Sequence, residues 1–247
     1  MKLAIFILLM IFPLFSNEAD ELLTLAMNRL KGIDQKMVVT LTQEQKGKPP
    51  KEQKFHSWTH WNSNDKVYKM VKILIEKPKE LEGISYWIHK DTLDVVKKWM
   101  TMPITGKLKD ISGESNKKDE FDFSELEISR DDIDQNSNKI SGKESVNNRE
   151  TMIIESTAFL SSGEIDIVKK IWIDKKDYFI HKAVFQNRKG RVIKQILLSN
   201  PVVINNITLL SQIKINNFRK KININISLSD ISFANIENIN IFIPRGK

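Results

Sequence analysis

The sequence predicts a mainly β chain, folded as one strongly curved antiparallel sheet with a short helix near its start. Three observations predict it. Apolar residues recur at every second position over most of the chain, as in Ile222-Asn223-Ile224-Asn225-Ile226-Ser227-Leu228-Ser229, which specifies a sheet with one dry and one wet face. The alternating runs are short and separated by turn residues, of which Asn187-Arg188-Lys189-Gly190 is the clearest hairpin signal. No segment between them has the helical length that parallel crossovers require.

In chain order, residues 1–19 have the character of a secretory signal. Lys2 precedes an unbroken apolar run to Phe15, shorter than the ~20 residues of a spanning helix, and cleavage after Ser16 or Ala19 suits the small residues there. Residues 20–247 are expected to form a single domain. Leu22, Leu23, Leu25, Ala26 and Leu30, set among polar neighbours, predict an amphipathic helix over 19–30, with Gly32 just past its end. Period-two patterning then runs through Met37–Thr42, Phe55–Trp61, Val67–Ile75, Ile84–Ile88 and Leu93–Trp99. Ser, Asn, Asp, Glu and Lys dominate residues 107–150, which are expected to be a polar insertion; eight acids stand between Asp119 and Asp134 against the single cation Arg130. Alternation returns at Met152–Ser156, Ile167–Ile173, Tyr178–Gln186 and Val192–Leu198.

Composition excludes several classes of function. The absence of cysteine removes disulfides, thiol nucleophiles, thiolate metal sites and lipid attachment at a cysteine. A formal charge of +8 favours anionic lipid heads or acidic proteins as partners in an exported protein, and no nucleic acid; lysines spread over solvated strand faces explain the same charge without a partner. His56-Ser57-Trp58-Thr59-His60 has the spacing of a zinc helix but lacks its glutamate, and on a strand the two imidazoles stand roughly 13 Å apart. Asp132–Lys143 begins like a calcium loop and fails at Ser137 and Lys143. With no nucleophile elbow and no glycine-rich phosphate loop, a non-enzymatic protein without cofactor or metal is expected. Trp58, Trp61, Trp87, Trp99 and Trp172 all fall in strand-like segments. One sheet face carrying them, with little helix to cover it, suits either a filled core or a lipid-accepting groove.

Four stretches carry a family resemblance. They are Lys170-Ile171-Trp172-Ile173-Asp174 with the hairpin to Lys194, Ile73–Gly83 with its proline turn, the acidic-aromatic Asp119–Leu126, and Ser229–Asn235 before Phe242-Ile243-Pro244. In this order the chain resembles the LolA-like outer-membrane lipoprotein-sorting proteins, including a spirochaete branch of periplasmic carriers. The resemblance implies a half-open barrel with a helical or loop lid. It implies a soluble periplasmic monomer that holds the acyl chains of lipoproteins, or lipids, and moves them from an inner-membrane donor complex towards an outer-membrane acceptor. The groove is expected at Trp58, Trp61, Trp87, Trp99, Phe123, Trp172 and Phe185. The alternative is a non-catalytic envelope scaffold on the same fold, its concavity filled by its own side chains. One departure stands out: the family's carriers use an arginine on an early strand to hold the lid, and Met37–Gln45 contains none.

Overall fold

The computed structural model describes residues 17–62, 67–93, 95–102, 104–113 and 128–246. Helix α1 (Glu18–Asn28) is followed by β1 (Gln35–Gln45), β2 (Lys51–Trp61), β3 (Val67–Lys77), β4 (Ser85–Asp91), β5 (Val96–Thr101) and β6 (Leu108–Asp110). A short helix α2 (Arg130–Asp134) leads into β7 (Ser137–Val146), β8 (Arg149–Phe159), β9 (Ile165–Asp174), β10 (Ile180–Asn187), β11 (Val192–Ile204), β12 (Ile207–Asn217) and β13 (Ile222–Ser232). The strands form one thirteen-stranded sheet in the order β6-β5-β4-β3-β2-β1-β13-β12-β11-β10-β9-β8-β7, every pairing antiparallel. Two meanders are thus joined through the β1–β13 pair, and the sheet is curved and unclosed, with β6 and β7 at its two edges.

Turn chemistry sets the registers. Asn147-Asn148 and Asn205-Asn206 each link two strands with both residues at positive φ, which is the geometry of a two-residue turn matched to the right-handed twist of a hairpin. At the β10–β11 turn the Asn187 side-chain oxygen accepts from the Lys189 and Arg191 backbone NH groups, and Gly190 takes a φ of +74°. Residues 137–146, within the stretch expected to be a polar insertion, pair with β8 as an edge strand. Edge strands tolerate this polarity because one side of their ladder faces water.

The registers sort side chains cleanly onto two faces. Ile154, Ile171, Ala183, Ile196, Ile215 and Ile224 are successive cross-strand partners and form one apolar row. A second row joins Ile213, Ile226 and Leu41. From Ala183 onward these rows, with Phe55, make the main core, in which Ile215 and Ile226 are 1 % exposed. At the Ile154–Ile171 end of the first row α1 covers the same face. Its Ala19 and Leu23 are fully buried in a second cluster with Ile154, Ile171 and Ile173. The helix starts at Asn17, whose side-chain oxygen accepts from the Ala19 NH at 3.1 Å, and Asn17 also donates to the Asn138 carbonyl of β7 at 2.5 Å.

Candidate functional site

The apolar face lies inside the curve, and its buried centre is bordered by half-buried hydrophobic residues. Met37, Ile73, Ile75, Phe185, Leu198 and Leu228 pack against the core and keep part of their surface accessible. Beside them, Phe185 faces Lys169 and Lys194 in the cross-strand register, and the two ammonium groups stand 5.5 and 4.1 Å from its ring centroid. Lys169 also reaches Asp132 of α2 at 3.4 Å. Burial lowers the Lys169 ammonium below its usual range, with Asp132 opposing. An apolar floor with cations at its margin can take up an amphiphile whose head is anionic.

The expected groove residues do not converge. Phe185 and Trp61 lie on the inner face: Phe185 packs on the core, and Trp61, in register with Lys69, stands at the end of β2 with that ammonium 5.4 Å from its ring. Trp58, Trp87 and Trp99 point to the outer face, where Lys72 of β3 is the cross-strand partner of both Trp58 and Trp87, and Trp87 pairs with Trp99. Trp172 sits between Ile171 and Ile173 in β9 and so also points outward, under Lys182 at 4.1 Å, its indole NH donating to Glu144 Oε2 at 2.5 Å. Phe123 lies outside the described residues.

A buried polar network fastens α1 beside the inner face. Arg29, at the C-terminal end of the helix, donates to the carbonyls of Asp177, at 2.7 Å, and Thr208. Its guanidinium and that of Arg149 both stand over the ring of buried Phe179, at 5.2 and 5.1 Å. Arg149 binds Asp174 through Nε at 2.5 Å and Nη2 at 2.9 Å, and Asp177 at 2.6 Å. Asp174, 1 % exposed, also accepts from the Lys176 and Asp177 backbone NH groups and from His181 Nε2. Burial alone would raise the Asp174 carboxyl; these donors outweigh it and hold it well below the usual carboxylate range. The Asp174 hydrogen bond in turn keeps Arg149 firmly charged. Burial lowers His181, whose Nδ1 accepts from the Asn147 amide at 3.2 Å while its Nε2–H donates to Asp174, so the ring is neutral with both nitrogens engaged. An arginine therefore ties the helix down here too, but it belongs to the helix itself. Its position directly before Leu30 and Gly32 was the only sequence signal for it.

On the outer face the C-terminal segment lies across the tryptophan row. Asp34 anchors it, its carboxylate binding His60 Nδ1 at 2.8 Å and the backbone NH groups of Trp61 and Ile236 at 3.1 and 3.0 Å. Phe242, fully buried, stacks on His60, and its carbonyl contacts His89 Nε2 at 2.9 Å.

Among solved structures, a DUF1329 family protein from Desulfovibrio piger matches with a TM-score of 0.72 at 20 % identity, covering 91 % of this chain and 95 % of its own. A protein assigned as an outer membrane lipoprotein-sorting protein domain, from Vibrio parahaemolyticus, matches with a TM-score of 0.72 at 16 % identity, covering 92 % and 96 %. A LolA superfamily protein from Nitrosomonas europaea matches with a TM-score of 0.61 at 13 % identity, covering 91 % and 96 %. No curated protein matches. A family model described as "Uncharacterized protein" matches residues 67–245, well over half of the chain. The chain belongs to the family that this match defines, and its fold is LolA-like.

Proposed function

We propose that this protein binds the acyl chains of lipoproteins, or lipids, on the inner face of its curved sheet and carries them through the periplasm towards the outer membrane. The observation that carries the reading is the continuous apolar face, centred on Ile215 and Ile226 and bordered by partly accessible Met37, Ile75, Phe185, Leu198 and Leu228. Each methylene moved from water to such a surface gains about 0.8 kcal/mol, so partial shielding of one acyl chain suffices to keep it in solution. Lys169 and Lys194 at Phe185 suit the anionic head of such a passenger. The assignment of the Vibrio protein to outer membrane lipoprotein sorting agrees with this reading. So does the sequence of residues 1–19, and among the described residues no helix is long and apolar enough to cross a membrane.

The role is non-catalytic in this reading. The buried Asp174–His181 pair has both imidazole nitrogens engaged, so this imidazole is not free to activate a nucleophile. The protein acts as a monomer, receiving its passenger from an inner-membrane donor complex and releasing it to an outer-membrane acceptor. One observation favours a second reading, an envelope scaffold: the centre of the inner face is already filled by its own isoleucines, with Ile215 and Ile226 1 % exposed. Titration with a palmitoylated, dansyl-labelled peptide separates the two. The carrier takes up the probe, and Ile75→Lys and Leu198→Lys weaken uptake about tenfold or more, since each puts a charge against the apolar floor. Absence of uptake by the unsubstituted chain refutes the carrier and leaves the scaffold.

A further inference from the structure

A cleft of about 310 Å³ opens between the outer face of β3–β5 and the C-terminal segment, on the side of the sheet away from the apolar inner face. Its size lies at the lower end of the range for small-ligand pockets. Trp87 forms part of the floor, and the opposite wall is pinned to it by the indole NH, which donates to the Ile241 carbonyl at 3.0 Å. Ile241 and Ile243 complete an apolar patch with this ring.

The polar lining is one-sided in charge. Two cations, Lys72 and Arg245, border the cleft, and among the described residues no carboxylate does. Some lysines of this sheet are matched by acids, as Lys54 is by Glu76 and Lys139 and Lys170 are by Glu155, and others stand over aromatic rings, as Lys182 does over Trp172. Lys72 stands over two indoles, 5.7 Å from the Trp58 ring centroid and 5.9 Å from that of Trp87. Burial and the nearby Arg245 lower its ammonium below the usual range. An anion seated between the two cations relieves both effects. A lysine point charge next to an arginine fork suits the two unesterified oxygens of a phosphodiester.

We propose that this cleft binds an amphiphile by its phosphate group, with Lys72 and Arg245 taking the phosphate oxygens and Trp87, Ile241 and Ile243 packing against its first apolar segment. The site is separate from the acyl-chain face and does not depend on that reading. Calorimetric titration of the full chain with dihexanoylphosphatidylglycerol, below its critical micelle concentration, tests it, with tryptophan fluorescence as a second readout. Saturable binding is expected, weakened about tenfold or more by Lys72→Met and by Arg245→Gln, because each removes a charge-assisted hydrogen bond. Leu198→Lys on the inner face leaves this affinity unchanged. Absence of saturable binding at millimolar lipid overturns the proposal, as does affinity that survives both cation substitutions. Inorganic phosphate binding as tightly as the lipid would overturn the assignment to an amphiphile. Arg245 is exposed, so its variant folds whatever Lys72→Met does to the indole packing.

Discussion

Replacing Arg149 by Met tests the network that fastens α1. The substitution keeps an apolar stem and deletes two hydrogen bonds to Asp174 and one to Asp177. It leaves a carboxylate that is 1 % exposed with only two backbone NH donors and His181. Breaking a buried ion pair by removing one partner costs about 3–5 kcal/mol. The Arg149 side chain is 32 % exposed, so solvent screens part of this, and a loss of about 2–4 kcal/mol follows. Urea unfolding followed by tryptophan fluorescence at pH 7 measures it. The pH dependence gives a second check. Asp174 has its folded pKa below the unfolded value of about 3.9, so its stabilisation is complete well above that value and is lost as pH falls below about 4. The variant should therefore lose less stability than the parent between pH 5 and pH 3. A loss under about 1 kcal/mol at pH 7, with an unchanged acid profile, would refute the assignment of this network as the anchor.

His181 has its folded pKa below the unfolded value of about 6.5, so its neutral form stabilises fully above that value. Faced by Asp174, Arg149 and Asn147, it makes stability fall as pH drops from 7 towards 5, and His181→Gln should flatten that part of a urea-midpoint profile. Phe242→Ala deletes a fully buried ring and should cost about 3–5 kcal/mol in the same unfolding assay, with a red shift in emission as Trp87 and its neighbours meet water. Asn206→Val places a β-branched residue at a φ of +63° and should cost about 1–2 kcal/mol, whereas Asn206→Gly should be neutral or mildly stabilising. Arg29→Met releases the end of α1 from β12 and the β9–β10 turn, and hydrogen exchange of the helix amides should accelerate while the β13 amides stay protected.

Much of the sheet was legible because its faces differ so sharply. The alternation of Ile222–Ser229 is that of β13, the strand that joins the two meanders, and the expected helix over 19–30 forms at Glu18–Asn28. Residues 137–146 were less legible, because an edge strand with polar residues on both faces lacks the period-two signal. The tryptophans show what parity adds. Trp172 stands between Ile171 and Ile173, and Trp58 is three residues from Phe55, so within a strand each must point away from those core residues. That much is readable from the sequence once the core row is known; the row itself is not, because it depends on pairing. The Arg149–Asp174–His181 network depends on the same registers, uniting residues of β8, β9 and β10 that no sequence spacing relates. The cleft at Lys72 needs a segment more than 150 residues away to form its wall.

The central claim, that the inner face carries a hydrophobic passenger, is tested most directly by purifying residues 20–247 without detergent and weighing them by native mass spectrometry, with lipid extraction of the same sample. The account predicts acylated molecules bound near one per chain and depleted in Ile75→Lys and Leu198→Lys. A chain that is free of lipid, and remains so after exposure to acylated peptide, would contradict it.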